Sequence, residues 1–152
     1  MALDYFDGMN QERWMRNGAA ETLESLDRHE GFREVFINFM KNLPYTFEDE
    51  HYLYVHAGLR PGTGLENQTP WDLVWIREDF FMSQERFPKP VIFGHTPVRT
   101  ITGETKPIVL HGNIAIDTAC VYGGFLTMLV IQQDGTWEYV QSDRCGIEKE
   151  LD

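Results

Sequence analysis

A chain of 152 residues is long enough to bury a core as one domain. Its 42% apolar and 24% charged residues are ordinary for a globular protein. The net charge of −11 argues against binding nucleic acid through its phosphates or lying on an anionic membrane, since both need a basic face. A small phosphorylated ligand stays open, because an acidic protein can still hold a locally positive site.

No apolar run approaches the roughly 20 residues of a membrane span. The opening MALDYFDGMN has no basic segment followed by an apolar stretch, so no secretory signal is expected. Two cysteines, Cys120 and Cys145, make no disulfide framework. Both are expected reduced, in a cytoplasmic setting.

In chain order, Asn10 to Leu26 reads as helix, with Trp14, Met15, Ala19, Leu23 and Leu26 at three- to four-residue spacing and Gly18 as an interruption. A second helix is expected from about His29 to Leu43. Its apolar stripe is Phe32, Val35, Phe36, Phe39, Met40 and Leu43, and Pro44 ends it. The period then shortens: Tyr52–Val55 is a β run that stops at His56-Ala57-Gly58. Residues 60–70 read as a loop. Trp71–Phe81 reads as a helix with Thr69 as N-cap and Pro70 in its first position.

Val91–Phe93 is the next strand, stopping at Gly94-His95. Strands follow at Pro107–Leu110 and Ile114–Ile116 around a Gly112-Asn113 turn. A hairpin joins Phe125–Gln132 to Thr136–Gln141 over Asp134-Gly135. The tail SDRCGIEKELD is charged and expected to fray. Hairpin signals without crossover helices point to an α/β (α+β) layered sandwich with a mixed or antiparallel sheet. The expected organisation is a single, truncated domain: helical over 1–45, strand-rich over 46–141, and a tail over 142–152.

Two strand-like runs that each end in His beside Gly are the strongest local signal. Neutral imidazole suits Mn, Zn or Fe, and a strand end is a rigid mount. His56 and His95 therefore read either as metal ligands or as hydrogen-bonded turn residues, and pattern alone leaves the two balanced. His29 and His51 sit among charged residues and read as solvated, and His111 reads as a turn residue. Arg77, within WDLVWIRED, is able to present a planar fork to phosphate. The competing reading, a salt bridge to Glu78, Asp79 or Glu85, is favoured by pattern. Asp117 reads as a turn-capping residue ahead of a metal ligand. There is no serine-hydrolase elbow, P-loop or CxxC zinc pair.

The stretches WMRNGAAETLESL, YLYVHAGLRPG, LVWIRED, VIFGHTPV and IAIDTACVYGGFLTML occur in this order. Together they resemble the C-terminal half of a calcineurin-like metallophosphoesterase, over roughly residues 10 to 131. The nearest group is the bacterial serine/threonine protein phosphatases, similar to lambda phage phosphatase, with the symmetrical diadenosine tetraphosphate hydrolases as cousins. The resemblance implies two divalent metal ions (Mn, or Fe/Zn), with His56 and His95 as metal ligands and Arg77 on the substrate phosphate. It implies a structural role for Asp117 to Gly124.

The family's Gly-Asp-x-His-Gly, Gly-Asp-x-x-Asp-Arg-Gly and Gly-Asn-His-Glu motifs are absent, and with them the bridging carboxylate and the general acid. No catalytic residue is identified in this chain. Ala119 stands where the family usually has Gly. The expectation is the C-terminal half of a phosphoserine/phosphothreonine phosphatase, weakly active or inactive alone. Its substrate would be a phosphoprotein or small phosphoester. It would complete itself as a homo-oligomer or with a missing N-terminal half. The alternatives are a non-catalytic relic or assembly domain, and a diadenosine tetraphosphate hydrolase.

Overall fold

A computed structural model describes residues 1–142, which form two compact units divided between Pro44 and Tyr45. The tail from position 143, including Cys145, lies outside the described residues.

The first unit is helical: α1 (Ala2–Phe6), α2 (Gln11–Met15), α3 (Ala19–Asp27) and α4 (Phe32–Lys41). The helix read from Asn10 to Leu26 is two helices, broken by Gly18 at φ 86°. The five-residue α1 is too short to show a helical period and was not foreseen. Trp14, Ala2 and Ala19 form this unit's core, with Tyr5 and Phe6 edge-on to the Trp14 ring at 5.0 and 5.6 Å. Only part of the α4 stripe joins it. Phe36 and Met40 pack against that core, while Phe32, Val35, Phe39 and Leu43 are exposed.

The second unit is built on a five-stranded mixed sheet ordered β1 (Thr46–Glu48), β2 (Leu53–Val55), β3 (Val91–Phe93), β5 (Asn113–Ala115), β4 (Ile108–Leu110). The expected α/β class with a mixed sheet is what the chain adopts. β2, β3 and β5 run parallel, with Leu53 opposite Val91 and Ile92 opposite Ile114. The antiparallel strands β1 and β4 close the two edges. β1 was not foreseen. The β4–β5 turn falls on His111-Gly112, one residue earlier than read. Both have positive φ (50° and 91°), the conformation of a two-residue type I′ turn. His111 is thus a turn residue, as expected.

Crossover segments on one face bury Leu59, Leu73, Ile76, Phe80 and Val98 against Leu53, Val55, Val91, Phe93 and Ala115 of the sheet. On the other face Tyr52, Ile92 and Ile114 meet Leu129, Ile131 and Trp137 from the β6 (Thr127–Ile131)–β7 (Trp137–Gln141) hairpin. Tyr52 and His51 fasten that hairpin's turn. The Tyr52 hydroxyl donates to the Gly135 carbonyl at 2.6 Å, and the His51 Nε2 lies 3.0 Å from the Gln133 carbonyl. His51 is therefore half-buried rather than solvated; His29 is exposed, as read.

The helix read over Trp71–Phe81 is two helices, α5 (Pro70–Trp75) and α6 (Glu78–Phe81). Ile76 is extended (ψ 146°) and Arg77 lies at φ −133°, ψ −105°, so the chain turns sharply at the candidate phosphate ligand. Thr69 is the N-cap and Pro70 the first residue, as expected. The cap is a full capping box with Asp72, whose carboxylate accepts from the Thr69 backbone N–H. Arg60 Nε donates to the same carboxylate at 2.8 Å, tying the 60–70 loop to the helix. A further short helix, α7 (Val98–Thr102), follows β3 and was not foreseen.

Candidate functional site

Three parallel strands end side by side, and each is followed within two residues by a polar residue singled out from the sequence. His56 follows β2, Gly94-His95 follows β3, and Asp117 comes two residues after β5. The backbone ladder continues past the strands and locks these ends together. Gly94 N–H donates to the His56 carbonyl at 2.9 Å, and Val98 N–H to the Asp117 carbonyl at 2.8 Å. This is the strand-end crevice where open α/β sheets place ligands.

The structure brings the two histidines together: their ring centroids are 5.0 Å apart at 53°. His95 sits at φ 66°, and Thr96 N–H reaches back to the Gly94 carbonyl at 2.7 Å. That three-residue turn with a positive central φ is rare and strained, and such strain persists where the surroundings hold it. His95 Nε2 is buried with no hydrogen-bond partner. A buried orphan nitrogen is costly unless something completes it. Packing at Gly94 does not demand glycine, since an added Cβ would make only ordinary contacts, 3.7 Å from both Asp117 Cβ and the His56 carbonyl.

Both rings are shifted toward the neutral form, His95 far more than the exposed His56. Burial pushes the His95 pKa down to about 4, the Arg77 charge and His56 act in the same direction, and Asp117 and a hydrogen bond with the Trp75 backbone oppose them. Burial also lowers the His56 pKa against the pull of Asp117, with Arg77 adding to the fall. A neutral imidazole is the form that ligates a metal.

Arg77 Nη1 donates to the Thr96 hydroxyl at 3.0 Å and contacts the His95 carbonyl at 3.4 Å. The salt bridge favoured by pattern is not made: among the described residues Arg77 pairs with none of Glu78, Asp79 or Glu85. Asp79 faces Arg60 at 3.9 Å, and Glu85 accepts from Gly62 N–H. Arg77 is exposed, with its charge directed along the turn that carries His95.

Asp117 takes the capping role that the sequence favoured. Its Oδ1 accepts from Ala119 N–H at 2.9 Å. Ala119 itself is in the left-handed region at φ 61° and buried. Gly124 packs so closely on this loop that an added Cβ would lie 2.0 Å from the Thr118 carbonyl. The expected tight turn at Gly123-Gly124 is thus enforced by backbone. Cys120, on this loop, is disulfide-bonded, which corrects the expectation of a reduced thiol.

The donor set fits part of a metal centre. Two imidazoles, one of them with a buried orphan Nε2, suit a divalent transition ion. Among the described residues, however, no group of three or more His, Cys, Asp or Glu gathers to hold one. Two features escaped sequence reading. The Thr96 hydroxyl that steers Arg77 has no motif of its own. The Trp71–Trp75 stack beside His95, with centroids 5.5 Å apart, was legible only as apolar bulk at i, i+4.

Over 39 residues the chain is 46% identical to the asymmetrical bis(5′-nucleosyl)-tetraphosphatase PrpE of Halalkalibacterium halodurans. The match covers 26% of this chain and 13% of that protein. No family model matches the chain, and no solved structure does. What the comparisons give is a partial likeness to a phosphoric anhydride hydrolase, confined to that stretch.

Proposed function

We propose that this chain supplies one half of a metal-dependent phosphoester hydrolysis site. His56 and His95 are the metal ligands and Arg77 is the substrate-phosphate ligand. The observation that carries this is the partnerless, buried Nε2 of His95, held on a strained turn with the His56 ring 5.0 Å away. A divalent ion there, Mn or Fe/Zn in type, would acidify a bound water and neutralise phosphoryl oxygens.

The chain's own residues do the rest. Burial lowers the pKa of both imidazoles, which favours the unprotonated form that ligates, most strongly at His95. The Thr96 hydroxyl and the His95 carbonyl aim Arg77 toward an oxyanion. Asp117 fixes the adjoining loop. The carboxylate ligands and the general acid come from outside this chain, from a second copy or a separate N-terminal half. The isolated chain is accordingly weakly active or inactive. Two substrates compete. The ordered motifs favour a phosphoserine/phosphothreonine protein, whereas the 39-residue likeness favours a dinucleoside polyphosphate.

Metal and aryl phosphate test this reading on the same sample. Mn²⁺ binding that disappears in His56→Ala and His95→Ala supports it. Hydrolysis indifferent to both substitutions contradicts it. A non-catalytic assembly domain is the second reading, favoured by the lack of a third ligand among the described residues. It predicts no metal binding at all.

A further inference from the structure

β6 has one neighbour, β7, and the two make a separate two-stranded sheet. Pairing runs one-to-one from Thr127 opposite Gln141 to Ile131 opposite Trp137, with no bulge. Ser142 N–H donates to the Leu126 carbonyl at 3.0 Å, and Gln132 N–H to the Thr136 carbonyl at 2.8 Å. Those bonds fix the phase of the ladder. Met128 and Val130 are bonded to β7, whereas Thr127, Leu129 and Ile131 turn their N–H and C=O groups away from it. Among the described residues none of these outward backbone groups has a hydrogen-bond partner.

Proteins blunt such an edge by shortness, charge or proline. The five-stranded sheet follows that rule: β1 and β4 are three residues each, and β1 carries Glu48 with Lys89 at 2.9 Å. β6 does not. It is five residues, Thr-Met-Leu-Val-Ile, uncharged and without proline. Met128, on its outer face, is 59% exposed. A row of alternating free donors and acceptors is satisfied by another extended strand.

Charge and symmetry select that strand. Antiparallel pairing of β6 with its own copy about a two-fold axis sets Leu129 opposite Leu129 and Thr127 opposite Ile131. The outward groups of the two copies then meet in register, and no charge enters the seam. The same operation on β7 would bring two Glu138 side chains to diagonal positions on one face. We infer that β6 is a self-association edge, through which two copies of this chain join their hairpins into one antiparallel sheet in the order β7-β6-β6-β7. This stands on the ladder alone, independent of the metal-site reading. The seam begins at the site's own loop: Thr127 Oγ1 lies 2.5 Å from the hydroxyl of Thr118, the residue after Asp117.

Sedimentation velocity on the full chain, over a dilution series from about 1 mM to about 1 µM, tests it together with amide hydrogen exchange at both ends of the series. A monomer–dimer equilibrium is expected. The Thr127, Leu129 and Ile131 amides should exchange quickly in the dilute sample and be protected in the concentrated one. Added salt should tighten the dimer, because the seam is uncharged and each copy carries −11. Met128→Glu should weaken it several-fold, by setting two carboxylates diagonally across the seam. Val140→Glu, on the same outer face but on β7, should leave it nearly unchanged. A monomer at every concentration overturns the inference. So does a dimer whose β6 amides stay unprotected, or one that both variants weaken equally, since the outer apolar face would then be the interface.

Discussion

The Arg77 guanidinium donates to the Thr96 hydroxyl at 3.0 Å, on the same turn that holds the His95 ring. The proposed phosphate ligand is thereby tied to the turn that carries the proposed metal ligand. Burial is the largest cause of the low imidazole pKa, and the cation adds to it. Arg77→Ala should therefore raise the His95 pKa from about 4, while Arg77→Lys should leave it low. Proton NMR titration of the metal-free protein reads the shift directly. No movement in Arg77→Ala would separate the two residues electrostatically.

The pH dependence of stability has a definite sign. An unfolded histidine titrates near 6.5, whereas His95 in the fold titrates near 4. Between those values the unfolded chain binds the extra proton, so stability is complete above about pH 6.5 and falls as pH drops toward 4. Urea unfolding across this range checks it. In His95→Gln the decline between pH 6.5 and 4 should be shallower.

Asp72 is buried (2% exposed) under a half-exposed Arg60. Burial pushes its carboxyl up, but hydrogen bonds from Thr69 and Arg60 outweigh that and hold it below the usual range. Asp72→Ala removes the capping box and the brace on the 60–70 loop together. The expected cost is about 1–3 kcal/mol by denaturant unfolding, limited because Arg60 can turn to water.

Gly58 follows His56 by two residues, and a Cβ there would sit 2.3 Å from Phe80 Cδ1, a side chain with 1% exposure. Phe80 has no room to retreat. Gly58→Ala should cost about 1–3 kcal/mol and loosen the His56 segment. By contrast, Ala119→Gly should be close to neutral. Relief of about 1–2 kcal/mol of left-handed strain is offset by a lost buried methyl and greater unfolded-state freedom. Thermal melts of both variants test the contrast.

Much of this was legible in the sequence, for identifiable reasons. Val91–Phe93 and Tyr52–Val55 stand out as strands because each is an apolar run stopped by a small polar segment, and the same punctuation marked His56 and His95. Thr69-Pro70 announced the start of α5 by its side-chain chemistry. The break at Ile76-Arg77 was invisible, because residues 71–81 keep an apolar, helix-compatible composition while the crossover demands a turn there. β1 and α7 are short elements fixed by neighbours rather than by local period. The pairing of Arg77 with Thr96 instead of with a nearby carboxylate is purely tertiary: Asp79 faces Arg60 and Glu85 is bound to Gly62 N–H.

The most direct test of the half-site is Mn²⁺-dependent hydrolysis of an aryl phosphate by the purified chain, with bound metal counted in the same sample. The predicted result is at most one ion per chain, with weak or no turnover, and loss of the ion in His56→Ala. Turnover that persists unchanged in both His56→Ala and His95→Ala would contradict the assignment of these imidazoles.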